Sequence, residues 1–258
     1  MSRFLNRLVA ALLVSALSAC STVPGGSGSP RAKRIADTNI QLGIAYMRQG
    51  DFDTALVKLQ KALDADPDSA TANGTLAILY ENIGEDQLAE KHFKKALRLS
   101  PKDPQTHNNY GQYLCRHGEY TQALEQFKVP ASDPLYPGIA ASLTNAGICA
   151  GNIPDAKQAE DYFRKALEHD QNYPNALLQM ANLMFTQGNN MAARAYIQRF
   201  DGVSTPSAES LWLGVRIENT LGDMNAAGNY AMQLKNNFPK TKEAESLREW
   251  ENEHRRRQ

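Results

Sequence analysis

The cysteine at position 20 stands where a thiol can be modified covalently. It follows an apolar run, residues 8–17, which lies behind two arginines and is too short to span a bilayer. The run ends in Leu17-Ser18-Ala19-Cys20, which resembles a bacterial lipobox: small residues admit the chain to the peptidase, and the thiol takes up a diacylglycerol group. We therefore predict a lipoprotein signal peptide over residues 1–19 and lipid attachment at Cys20. An ordinary signal peptide with a chance cysteine is the alternative.

The residues after Cys20 indicate where such an anchor would lie. Ser21 stands in the place of the aspartate that usually retains a lipoprotein in the inner membrane. We therefore predict a lipid-anchored protein of the outer membrane that faces the periplasm, held stably by several acyl chains. Residues 20–35 are rich in Gly, Ser and Pro, which favours a flexible tether with a root-mean-square reach of about 20 Å.

The remaining residues show no arrangement for catalysis or metal binding. The five histidines have neither an HExxH motif nor paired metal-ligand spacing, and the chain lacks GxSxG, a phosphate loop and GxGxxG. The 28 basic and 28 acidic residues balance, which argues against a nucleic-acid partner. We therefore expect a protein that is not an enzyme, with no cofactor, no metal, no nucleic acid and no small-molecule substrate.

The chain after residue 35 repeats with a period of 34 residues. Small, aromatic, glycine and proline positions recur in step, as Gly43, Tyr46, Gly50, Ala55, Ala62 and Pro67 and then as Ala77, Tyr80, Gly84, Ala89, Ala96 and Pro101. This is the pattern of the tetratricopeptide repeat, in which small residues let two antiparallel helices approach closely. The prediction is an all-α fold, a tetratricopeptide-repeat superhelical solenoid of six helix-turn-helix repeats plus a C-terminal capping helix. The repeats are expected at 36–69, 70–103, 104–137, 140–173, 174–207 and 208–241, and the capping helix and tail at 242–258.

The third repeat breaks the pattern between Val129 and Gly138, a stretch that contains three prolines. Pro130 predicts an early end of the second helix, because proline removes a helical hydrogen bond and clashes with the preceding turn. The array is then either two three-repeat halves joined by a bend, or a continuous array with a tolerated loop. The functional alternative to a merely tolerated loop is a surface loop that helps to shape a partner site.

Cys115 and Cys149 lie one period apart, in the first helices of the third and fourth repeats. Successive first helices are neighbours in a solenoid, and the periplasm is oxidising, so a Cys115–Cys149 disulfide is the candidate pairing. Two buried free thiols are the alternative.

The first helices are expected to line the concave face of the array, where a peptide would bind. Apolar residues occupy several of these positions in the first two repeats, and the candidate partner-binding residues are Ile40, Ile44, Met47, Arg48 and Ile78. Such a groove suits an amphipathic helix or an extended peptide. Alternatively, Ile40 and Ile44 belong to the core of a terminal repeat.

Several segments go beyond the general repeat pattern, namely Asn108–Cys115, Asp133–Pro137, Ala193–Tyr196 with Arg199-Phe200, and Ser210–Glu218. They resemble the type IV pilus biogenesis lipoprotein family PilF/PilW. The resemblance implies a pilotin, an outer-membrane lipoprotein that binds the secretin subunit of the type IV pilus and promotes its localisation and oligomerisation. A general outer-membrane assembly scaffold of the barrel-assembly type and an activator of a cell-wall enzyme are the alternatives.

Overall fold

The computed structural model describes residues 29–153 and 156–257, and these ranges form thirteen α-helices and no strand. In chain order the helices are α1 Pro30–Arg48, α2 Phe52–Ala65, α3 Ala70–Asn82, α4 Asp86–Leu99, α5 Pro104–Arg116, α6 Tyr120–Ser132, α7 Ile139–Ala150, α8 Ala156–His169, α9 Pro174–Thr186, α10 Asn190–Val203, α11 Ala208–Thr220, α12 Met224–Asn237 and α13 Lys242–Arg257. The predicted signal peptide, Cys20 and the tether up to residue 28 lie outside the described residues. Within the described ranges, no helix has the length and apolar character to cross a membrane.

The helices from α1 to α12 pack as six consecutive pairs. Five of the connections within pairs contain a glycine whose φ lies between 77° and 81°, at Gly50, Gly84, Gly118, Gly188 and Gly222. A side chain would be strained at this φ, so glycine is the residue that ends the first helix and reverses the chain. The all-α tetratricopeptide-repeat fold predicted from the 34-residue period is therefore confirmed.

The two helices of a pair approach closely at a small residue of the first helix. A Cβ atom added to Gly43 would lie 2.7 Å from Leu59 Cγ, and one added to Gly111 would lie 2.8 Å from Phe127 Cε1. Leu59 and Phe127 are buried, so neither can move aside for an added methyl group. A small residue facing a large one therefore fixes how the helices of a pair pack.

The chain divides into two compact units, Met1–Leu99 and Ser100–Gln258. The described part of the first unit contains α1 to α4, and its core includes Ala36, Ile40, Ala55, Leu59, Ala62, Ala72, Leu76 and Leu79. The second unit contains α5 to α13. Its last helix packs against α11 and α12 over a core that includes Leu211, Val215, Leu234, Ala244 and Leu247.

The structure does not divide the chain at the third repeat. Helices α6 and α7 pack against each other, and the two units divide at Leu99 instead. The prediction that Pro130 ends its helix early is wrong, because α6 runs on to Ser132. Pro130 lies buried inside α6, where packing of its ring offsets the helical hydrogen bond that its missing N–H costs. The following loop is held to α5 by the Tyr136 hydroxyl, which donates to Gln105 Oε1 at 3.1 Å.

The predicted tether ends sooner than expected, since α1 already begins at Pro30. The Ser29 side chain caps the helix by accepting a hydrogen bond from the Ala32 N–H at 3.1 Å, and proline suits the first helical position. Ala32 and Ala36 are both buried. The prediction of a flexible segment is therefore wrong for residues 30–35, which belong to the first helix pair.

Candidate functional site

The candidate groove residues lie on α1 and α3 of the first unit, two helices that pack against each other. Ile40 is only 1% exposed and belongs to the core with Leu59 and Leu76. The prediction of Ile40 as a groove residue is therefore wrong, because a side chain with so little accessible surface cannot contact a partner.

The other candidate residues keep accessible surface. Ile44 and Met47 are partly buried and pack on the first-unit core with the rest of their side chains. Ile78 is also partly buried on α3, and Arg48 is exposed in the last turn of α1. Three apolar side chains and one cation thus remain available on these helices, and their role in partner binding stays a prediction.

Two further apolar residues of α1 are accessible, although neither was among the candidate groove residues. Ile35 is 44% exposed and Leu42 is 39% exposed. They lie seven residues apart, about two helical turns, and so share one face of α1. That spacing is a signal that identifies them once Pro30 is recognised as the start of the helix.

Two ties join α5 to α7 in the second unit. The structure links Cys115 and Cys149 by a disulfide, with their Cα atoms 5.7 Å apart. Asn108 Oδ1 accepts hydrogen bonds from Ser142 Oγ at 2.9 Å and from Asn145 Nδ2 at 3.1 Å. Both ties hold successive first helices together, so these residues of the third and fourth repeats act in the packing of the array.

A charged cluster joins the fifth and sixth repeats. Arg194 of α10 pairs with the buried carboxylate of Glu218 on α11 and lies 3.6 Å from Asp223. Tyr230 of α12 donates its hydroxyl to Asp201 of α10. Burial raises the pKa of Asp201, and burial together with this neighbouring carboxylate raises the pKa of Tyr230. Arg194 and Glu218 belong to the segments that resemble PilF/PilW, and they have a structural role here.

His92 and His107 contact polar side chains of the neighbouring helix. His92 Nδ1 lies 3.0 Å from Asn73 Oδ1, and His107 Nδ1 lies 2.9 Å from Gln126 Oε1. The first contact joins α4 to α3, and the second joins α5 to α6, so each lies within a helix pair. Among residues 29–153 and 156–257, no group of three or more His, Cys, Asp or Glu side chains is arranged to hold a metal ion.

The helix pairs, the glycine turns and the small-to-large contacts define a tetratricopeptide-repeat protein. Models of the tetratricopeptide repeat match residues 40–104 and 92–125. The chain is 34% identical over 203 residues to the type IV pilus assembly protein PilF of Pseudomonas aeruginosa, across 79% of this chain and 81% of that protein. The chain therefore belongs to the PilF family, and its role lies in type IV pilus biogenesis.

Two solved structures support the same assignment. The structure of Pseudomonas aeruginosa PilF superimposes with a TM-score of 0.76 at 32% identity and covers 86% of this chain and 99% of that one. The structure of PilW, described as a widely conserved type IV pilus biogenesis factor, gives a TM-score of 0.75 at 29% identity and covers 83% and 98%. The resemblance stated from the sequence segments is thus confirmed.

Proposed function

We propose that the protein is an outer-membrane lipoprotein pilotin, which binds the secretin subunit of the type IV pilus and promotes its outer-membrane localisation and oligomerisation. The observation that carries the proposal is the accessible apolar surface on the first helix of a pilus biogenesis protein. Ile44 and Met47 are only partly buried there, and Ile35 and Leu42 are each more than a third exposed. Ile35 and Leu42 lie about two helical turns apart on one face of α1, and accessible apolar side chains that share a face favour an interaction site.

The proposed partner segment is an amphipathic helix of the secretin subunit. Its apolar side would lie along the face of α1 that carries Ile35 and Leu42, which are seven positions apart. Arg48 adds a cation in the last turn of the same helix. An acidic residue beside the partner's apolar face would pair with it, which contributes more to orientation than to affinity.

The proposed lipid anchor at Cys20 supplies the second part of the mechanism. An acylated cysteine would carry a captured secretin subunit to the outer membrane and hold it there. Confinement to one membrane raises the effective concentration of captured subunits, which favours their assembly into a ring. Binding and tethering suffice for this task, and no bond in the secretin has to form or break.

Leu42→Glu in the full chain tests the surface in cells. A carboxylate on the apolar face should strongly reduce the secretin oligomers of the outer membrane, because the partner would have to desolvate a charge. Val57→Glu is the matched control, since Val57 is 53% exposed on α2 of the same unit. Unheated gels of separated membranes measure the oligomer, and immunoblots check that each variant accumulates. Unchanged oligomer with Leu42→Glu would count against this surface.

Cys20→Ala tests the anchor. Secretin subunits should then remain in inner-membrane fractions while the total amount of secretin stays unchanged. A deletion strain sets the baseline for complete loss. Normal rings at the outer membrane in both strains would contradict the pilotin function and favour a general outer-membrane scaffold.

A further inference from the structure

Arg216 of α11 is partly buried in the second unit. Its guanidinium carbon lies 5.1 Å from the ring centre of Phe185 on α9 and 5.8 Å from that of Trp212. Within the described residues, no hydrogen bond or ion pair engages the guanidinium, and its Nε is buried without an acceptor. Burial lowers the pKa of Arg216, and the charge of Glu209 acts in the opposite direction.

Other arginines of the second unit show how such a group is usually accommodated. Arg194 pairs with Glu218. Arg199 also lies over an aromatic ring, that of Tyr196 at 5.6 Å, but it donates to the Gln171 carbonyl at 2.7 Å. A partly desolvated cation is unfavourable unless an anion or acceptor engages it, and stacking on aromatic rings offsets only part of that cost. Within the described part of the chain, Arg216 therefore has neither the anion nor the hydrogen-bond acceptor that a partly desolvated guanidinium favours.

We propose that Arg216, Phe185 and Trp212 form a second binding site, which recognises a peptide carboxylate. Helices α9 and α11 are the first helices of neighbouring pairs and pack against each other. A planar guanidinium matches a carboxylate through two parallel hydrogen bonds. The two rings, both partly exposed, offer apolar contact to the peptide residue beside it.

The carboxylate belongs either to the end of a peptide chain or to an Asp or Glu side chain within it. Either source satisfies the same cation, and among the described residues Glu209 carries the negative charge that raises the pKa of Arg216. The site lies wholly in the second unit. It is therefore independent of the secretin surface proposed for α1, and the failure of one proposal leaves the other standing.

The test uses the full chain in detergent micelles with fluorine-labelled tryptophan, observed by fluorine NMR. The chain has two tryptophans, and Trp250→Phe assigns the signal of Trp212. Three pools of short random peptides serve as probes. One pool has free C-terminal acids and lacks Asp and Glu, one has amidated ends and contains Asp and Glu, and one has amidated ends and lacks both.

At least one carboxylate-bearing pool should shift the Trp212 signal, and the pool without carboxylates should not. Which pool acts identifies the source of the carboxylate. Arg216→Gln should weaken binding by about ten- to hundredfold, as expected for loss of hydrogen bonds between charged groups. Arg199→Gln, the matched control, should bind as the unaltered chain does.

No shift from any pool, equal shifts from all pools, or undiminished binding by Arg216→Gln would overturn the proposal. Arg216 would then be a packing residue that stacks on two rings. The comparison among pools uses the unaltered chain, so it decides the question even where Arg216→Gln folds poorly. Thermal unfolding of Arg216→Gln shows whether the variant folds as the unaltered chain does.

Discussion

The same substitution should act with opposite sign at two helical glycines. A Cβ added at Gly111 would lie 2.8 Å from Phe127, which is buried, so Gly111→Ala should lower the free energy of unfolding by about 1–3 kcal/mol. Gly228 lies inside α12, and an added Cβ there would meet no atom within 4 Å. Gly228→Ala should therefore raise the free energy of unfolding by about 0.5–1 kcal/mol. Urea unfolding of the full chain measures both, and changes of the same sign would contradict this account of the packing.

Single side chains were harder to predict than the repeat that contains them. Leu42 and Leu76 occupy the same repeat position, and the pattern alone predicts burial for both. Leu76 is 1% exposed, because α2 packs against α3, whereas Leu42 has no preceding helix pair among the described residues and is 39% exposed. The opposite error was made for Ile40, which was predicted to line the groove but is buried. The next repeat has Gly74 at that position, so the period could not show that a large side chain there fills the core.

At the scale of helices, His92 of α4 contacts two side chains of α3. Its Nδ1 lies 3.0 Å from Asn73 Oδ1, and its ring stacks on Tyr80 with centres 5.3 Å apart. Burial, followed by the charges of Lys91 and Lys95, lowers the pKa of His92 from its ordinary value of 6.5. The folded state therefore favours the neutral imidazole. The stability linked to this residue is present above pH 6.5 and is lost as the pH falls through the lowered pKa.

Thermal unfolding at neutral pH and near pH 5 tests this dependence. His92→Gln retains a polar group opposite Asn73 but cannot take up a proton. The unaltered chain should lose more stability on acidification than His92→Gln does, by a modest margin because the imidazole is only half-buried. Equal losses for the two proteins would show that protonation of His92 does not weaken the contact between α3 and α4.

The disulfide between α5 and α7 should stabilise the second unit. It closes a loop between residues 34 apart in sequence, for which restriction of the unfolded chain corresponds to about 3–4 kcal/mol. Replacement of Cys115 and Cys149 together by serine should lower the unfolding midpoint while the fold persists, since Asn108 still ties the same helices. Thiol alkylation with mass spectrometry, before and after reduction, checks the bond directly. Alkylation of both cysteines without reduction would contradict it.

Helix boundaries could be predicted where a local signal outweighed composition. The glycines between paired helices marked their turns, because positive φ is required there. Ser29 and Pro30 are equally specific signals for a helix start, but they lie at the end of a Gly- and Ser-rich stretch that predicts a tether. Pro130 misled for the opposite reason. Its local effect disfavours a helix, but Pro130 is buried in α6, and the packing of its ring outweighs the hydrogen bond lost.

At the scale of the whole chain, the period and a few distinctive segments were enough to predict the fold and the family. The division into two compact units at Leu99 could not be predicted in the same way. The second and third repeats follow each other at the regular spacing, and their residues carry no composition shift or linker between them. The sequence suggested a bend at the irregular stretch around Pro130 instead. In the structure, the loop there is held to α5 by the hydrogen bond from Tyr136 to Gln105.

The proposed anchor and the proposed partner surface should respond differently to the amount of protein. An acyl anchor contributes effective concentration, which a larger amount of unanchored protein can replace. An apolar contact contributes affinity, and Leu42→Glu weakens it at every concentration. Raised expression of Cys20→Ala should therefore restore part of the secretin oligomer, although away from the outer membrane. The same rise in anchored Leu42→Glu should restore far less.

Graded expression of each variant, with oligomer measured per total secretin on unheated gels, makes the comparison. Equal recovery in both variants, or none with Cys20→Ala, would refute the division of roles, because tethering and contact would then be inseparable.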